Sequence, residues 1–170
     1  MITELRLKNF KCFETLKLGM RPLTLLAGLN GMGKSSVIQS FLLLRQSWVN
    51  SELSSGRLTL NGELTSLGSG LDILYEDAQE ELIEIGLSLR FKNRSEKNID
   101  FPFRYDRQAD NLQAIPPPLT DAAKRDEILR SAENANMAPF GKQFHYIFAE
   151  RFGPRKMFPM SETHIRVNNL

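Results

Sequence analysis

The stretch that most narrows the possible folds is Gly28-Leu29-Asn30-Gly31-Met32-Gly33-Lys34-Ser35, which fits the phosphate-binding pattern G-x-x-x-x-G-K-[ST]. Gly28, Gly31 and Gly33 accept backbone angles closed to residues with a Cβ, so main-chain N–H groups turn toward one point. A helix starting at about Lys34 aims its positive end at the same point. Lys34 adds a full charge for the β- and γ-phosphates and is the candidate catalytic residue, while the Ser35 hydroxyl is the candidate ligand of a bridging Mg²⁺. Such a loop works between a strand and a helix. Leu23-Thr24-Leu25-Leu26-Ala27 before it is an apolar run of strand length, and residues 36–48 after it are of helix length.

The flanking periodicities predict an α/β chain. Residues 2–10 alternate, with Leu5 and Leu7 opposite Glu4, Arg6 and Lys8, and read as a half-buried strand. A second run places Leu16 and Leu18 inward, and the two predict an antiparallel layer leading into the run at 23–27. That run is apolar on both faces, which belongs in the middle of a sheet covered on both sides. The helix after the loop is apolar nearly all round (Val37, Ile38, Phe41, Leu42, Leu44, Trp48) and is expected to be buried, with Trp48 as a core anchor. Short strands and turns follow around Leu58/Leu60 and Leu64/Leu67, then a helical turn at 71–75. Residues 81–91 give the clearest later strand. Residues 92–118 are polar, end in Pro116-Pro117-Pro118, and form a loop, a hairpin or an insertion. Thr120 or Asp121 caps a surface helix through about Ala135 with a thin face of Ala122, Ile128, Leu129 and Ala132. Residues 144–149 read as a further buried strand.

Charge is uneven although the net is only +2. Residues 1–50 carry seven basic and two acidic side chains, whereas residues 51–89 carry Arg57 against eight acids. A basic start beside a phosphate site suits a polyanionic ligand, and solvated strand faces account for most of these charges. Composition gives no strong sign of direct nucleic-acid binding. Cys12 is the sole cysteine, so no internal disulfide or cysteine metal cluster forms, which suits a reducing cytoplasm. Its expected role is that of a small, partly buried strand residue. No apolar run reaches the ~18 residues of a membrane span, and the N-terminus is not a signal peptide.

Hydrolysis needs more than the loop: an acid at the end of a buried strand to hold Mg²⁺, and a group that activates water. Glu150 after residues 144–149 comes nearest to that acid, but Arg151 abuts it. His145 and His164 lack partners at metal or triad spacing.

The opening Met1-Ile2-Thr3-Glu4-Leu5-Arg6-Leu7-Lys8-Asn9-Phe10-Lys11-Cys12-Phe13, with its Asn-Phe-[Lys/Arg]-x-Phe turn, and the loop reading G-x-N-G-x-G-K-S resemble the start of ABC-type ATPases of the SMC, RecF and OLD kind. Glu63-Leu64-Thr65-Ser66-Leu67-Gly68 and residues 149–155 resemble bacterial stand-alone AAA-type ATP-binding proteins close to OLD, some of which act beside nucleases in phage defence. The resemblance implies a P-loop NTPase: the N-terminal lobe of an ABC-type ATPase domain, with an antiparallel β layer. It divides 1–170 into a core (1–50), short strands (51–91), a loop or insertion (92–118), and a helix with a buried strand (119–170). It implies ATP and Mg²⁺ held by Gly28, Leu29, Asn30, Gly31, Met32, Gly33, Lys34, Ser35 and Ser36, with Lys11 approaching the phosphates or ribose. A surface lysine in a turn is the other reading of Lys11. A Q-loop glutamine has no clear place among Gln39, Gln46 and Gln79.

The signature, acidic strand end and late histidine of such families are not in this sequence. The expectation is therefore a fragment, a truncated product or one part of a split ATPase. Its site would be completed by a C-terminal half and a second subunit, and its partners include a homodimer mate and a nuclease or DNA, with no membrane. Two rivals stay open. One is a non-catalytic nucleotide-binding or interaction module. The other is a P-loop kinase, for which Arg151 and Arg155 would supply a lid.

Overall fold

The computed structural model describes residues 1–115 and 119–147, with side chains of 119–122 outside the description. The alternating N-terminal segment forms β1 (Ile2–Phe10), which turns through Lys11 and Cys12 into β2 (Phe13–Gly19). Helix α1 (Lys34–Val49) follows the glycine-rich loop. Then come β3 (Arg57–Thr59), a 3-10 turn at Gly70–Asp72, β4 (Leu82–Arg90), β5 (Glu96–Arg104), β6 (Asn111–Gln113) and α2 (Leu119–Asn134). Within residues 92–115, β5 pairs along the full length of β4. No helix among the described residues is long and apolar enough to cross a membrane.

A four-stranded antiparallel sheet in the order β2-β1-β4-β5 organises the chain. Its register lines inward residues into cross-strand rows. Leu16, Leu7, Ile85 and Phe101 make one row, and Leu18, Leu5, Leu87 and Ile99 the next. Because side chains alternate with period two, a one-residue slip would turn the whole set to solvent, so burial sets the register. These rows share one core with Val37, Leu43 and Leu44 of α1 and with Leu129 and Ala132 of α2. The paired Leu58 and Leu112 of β3 and β6 join the same core. Trp48 packs on it and meets Phe140 edge-on at 5.5 Å. The outer face is polar: Arg6 reaches across β4 at Gly86, where a Cβ would meet Asp100 Oδ1 and Arg6 Nε, and ion-pairs with Asp100 at 2.7 Å.

Three expectations need correction. Residues 23–27 form no strand: Leu23 is 89% and Leu25 86% exposed, while Leu26 packs on the core. A strand apolar on both faces needs neighbours on both edges, and none of the described strands lies beside this segment. Thr24 instead closes a local turn, its Oγ1 accepting from Arg21 N at 3.0 Å and donating to Arg21 O at 3.2 Å. Residues 144–147 form no strand either. Phe144 and Tyr146 pack beside Leu42 and Leu64, and Ile147 is 90% exposed. The rest of that run (148–149), Glu150, Arg151, Arg155, His164 and the three prolines at 116–118 lie outside the described residues. Cys12 stands exposed in the β1–β2 turn rather than part-buried in a strand.

Candidate functional site

The loop at residues 28–35 has the backbone that its glycines allow. Gly28, Gly31 and Gly33 take φ of 150°, 84° and 80°. Gly33 is the N-cap of α1, in the left-handed region (φ 80°, ψ 7°), and no side chain caps the helix. The N–H groups of Lys34, Ser35 and Ser36 therefore have no carbonyl partner within the helix. No acidic residue occupies the first turn, so its positive end is uncompensated there. The Lys34 ammonium lies over the loop and donates to the carbonyls of Gly28 at 2.8 Å and Leu29 at 2.6 Å. One turn of chain thus gathers a cation, a run of N–H donors and the exposed Ser35 hydroxyl, which is what a phosphate group requires.

Gly33 is demanded twice. Its φ disfavours side chains, and the space excludes them: a Cβ there would collide with Phe13 Cζ and lie 2.5 Å from Cys12 Sγ. The β1–β2 turn therefore covers the loop, and the Cys12 thiol also comes within 4.0 Å of the Ser36 hydroxyl. The resemblance implied that Lys11 of this turn approaches the phosphates; the side chains that meet Gly33 are its neighbours Cys12 and Phe13.

The Asn-Phe-Lys turn is itself pinned. Asn9 and Lys11 both have φ 52°, a conformation that Asn tolerates better than most residues. The buried Asn9 amide donates to Leu82 O at 2.9 Å, Phe10 is fully buried, and Lys11 N donates to Ile73 O at 2.7 Å. The Lys11 ammonium rests on Asp72 O at 3.4 Å. Asp72 in turn accepts from Ser69 N and Oγ. Those bonds, backbone first, hold its carboxyl below the ordinary range, with help from the Lys11 charge. Asn30, Gly31 and Met32 form the exposed crest of the loop; Ser36 is buried behind it.

Behind the loop, α1 is braced by polar groups that periodicity conceals. The Arg45 guanidinium, 2% exposed, donates to the carbonyls of Pro139, Phe140 and Gly141 and lies 5.4 Å over the Phe144 ring. Burial lowers its pKa. Gln46 donates to Thr59 O at 2.7 Å and accepts from Thr65 N at 3.2 Å, and Gln79 donates to Asp77 O. Gln46 is thus a structural brace. His145 is exposed, and the described residues contain no cluster of three His, Cys, Asp or Glu placed to hold a metal.

Residues 1–152 match a family model described as an AAA ATPase domain. No curated protein matches the chain.

Proposed function

The chain belongs to the AAA ATPase domain family, and on that premise we propose that the loop at 28–35 binds Mg²⁺-ATP. The observation that carries the reading is the left-handed Gly33 at the uncapped start of α1, with Lys34 folded over the loop. The N–H groups of residues 29–36 hold the β- and γ-phosphates, and Lys34 exchanges its two carbonyl contacts for phosphate oxygens. Bound Mg²⁺ neutralises charge between the phosphates, with Ser35 as its protein ligand and Ser36 and Lys11 lining the approach. Hydrolysis is coupled to closure of a second subunit over the nucleotide, in a DNA-related or phage-defence setting within the cytoplasm, and a nuclease or DNA is the downstream partner. The alternative is a module that binds nucleotide without turning it over.

Titration of a fluorescent ATP analogue tests the site. Wild type should bind with an affinity that Mg²⁺ improves, Lys34→Ala should bind at least about 10-fold more weakly for the loss of a charge-assisted contact, and Ser35→Ala should lose the Mg²⁺ effect. Equal binding by wild type and Lys34→Ala would remove the reading. This chain alone should release little phosphate; steady release abolished by Lys34→Ala would remove the non-hydrolysing module and show that no further half is needed.

A further inference from the structure

The end of the sheet away from the P-loop holds a cleft of about 620 Å³. β1 begins at Ile2 in its wall and ends at Phe10 beside the turn that covers the loop, so nine extended residues hold the two places roughly 30 Å apart. Four stretches of chain meet at the cleft: the start of β1, the exit from β2, the end of β4 and the turn after α2. Its floor is apolar. Met137 is buried there, and Ile2, Met20 and Phe91 are half-buried. Arg21, Arg90 and Lys92 supply the side-chain charge, and no acidic residue among the described ones lines the cleft. Arg90 is ion-paired with Glu96, whereas Arg21 and Lys92 are exposed and have no acidic partner among the described residues. Asn136 is the one neutral polar side chain in the lining, and its Oδ1 already accepts from Lys142 N at 3.2 Å.

We propose that this cleft binds an alkyl carboxylate, with the methylene chain on the apolar floor and the carboxylate on Arg21 and Lys92. The volume falls within the roughly 300–1,000 Å³ of small-molecule sites. The floor is built in part from the thioethers Met20 and Met137, unbranched side chains that re-pack around a flexible partner. The head group must be an anion to meet two free cations, and a guanidinium matches a carboxylate in shape as well as charge. The carbonyl end of α2 reaches the cleft at Ala135, but a cationic head drawn to it would still face three basic side chains and no carboxylate. The body must bring few polar groups of its own. A peptide carries backbone N–H and C=O groups that go unpaired on such a floor, and the lining offers only Asn136 as a neutral polar side chain. A methylene chain has nothing to leave unpaired.

The test is isothermal titration calorimetry without nucleotide, so that its outcome is independent of ATP binding. The probes are decanoate below its micellar concentration, hexanoate, uncharged decanol and decyltrimethylammonium. The wild-type chain should bind decanoate saturably. Each methylene buried tightens binding by up to about 4-fold, so hexanoate should bind at least about 10-fold more weakly. Arg21→Glu/Lys92→Glu should weaken decanoate at least about 10-fold for the loss of charge-assisted contacts and leave decanol unchanged. Met20→Asn, which makes the floor polar, should weaken decanoate and decanol alike. Circular dichroism verifies that each variant is folded. Four results overturn the proposal: no saturable binding of decanoate, equal affinity for hexanoate and decanoate, decyltrimethylammonium bound as tightly as decanoate, or decanoate affinity untouched by the charge reversal. Phosphatidylserine vesicles that bind wild type where decanoate does not would assign this face to a membrane surface instead.

Discussion

Replacing Gly33 by alanine should damage the protein far more than replacing Gly31, although both glycines belong to the same motif and have nearly the same backbone angle. At Gly31, φ is 84° and nothing lies within 4 Å of an added Cβ. Gly31→Ala therefore costs only the left-handed strain, about 1–2 kcal/mol. At Gly33, φ is 80°, and the same strain is joined by collision with Phe13 and Cys12. Overpacking of this kind adds about 1–3 kcal/mol, for a total of about 2–5 kcal/mol. Urea denaturation followed by circular dichroism gives both values, and a melt should show about 2–4 °C lost per kcal/mol for a chain of this size. The steric share is testable by itself. Phe13→Leu shortens the ring that touches Gly33, so in Gly33→Ala/Phe13→Leu the two changes should couple favourably, costing less together than the sum of the singles. If Gly31→Ala and Gly33→Ala cost the same, or if the double variant is additive, the β1–β2 turn does not cover the loop and the geometry argued here is wrong.

Other consequences follow from single side chains. Arg45→Ala strips three buried carbonyls of their donor and should destabilise by about 3 kcal/mol, with faster proteolysis in 138–147. Arg45→Lys should recover only part of that loss, because the three bonds leave from one nitrogen, Nη1, which an ammonium can imitate, while the planar contact over Phe144 is lost; no recovery at all by lysine would refute the clamp. Asp72 has a lowered folded pKa, so its stabilising effect is present above the ordinary carboxylate pKa and lost as pH falls through the lowered one. Asp72→Asn should therefore melt below wild type at pH 7 and converge with it in acid; a constant gap would discount the linkage. Leu25→Ser, at a position 86% exposed, should change stability by less than about 0.5 kcal/mol. A loss of several kcal/mol would mean that the side chain is buried after all.

The sequence by itself determined the local pieces. Alternation over residues 2–10 and 81–91 required strands with one dry face, and the loop pattern required left-handed glycines ahead of a helix that begins at Lys34. These are short-range demands of sterics and burial, and no distant residue alters them. Tertiary structure decided what short-range pattern leaves open. Residues 23–27 are as apolar as any strand here, yet a strand exists only where another pairs with it, and none of the described strands does. Residues 96–104 left loop, hairpin and insertion open because the inward residues Ile99, Phe101 and Phe103 alternate only with asparagine, aspartate, proline and arginine, and pairing with β4 gives that alternation its meaning. Arg45 was hidden in an apolar helix, since only the fold brings the carbonyls of 139–141 to it. Gly33 joins both kinds of cause: its φ follows from the motif, but the ring and thiol that leave no room for a Cβ arrive from β2 and the turn before it, and only the folded sheet carries them there.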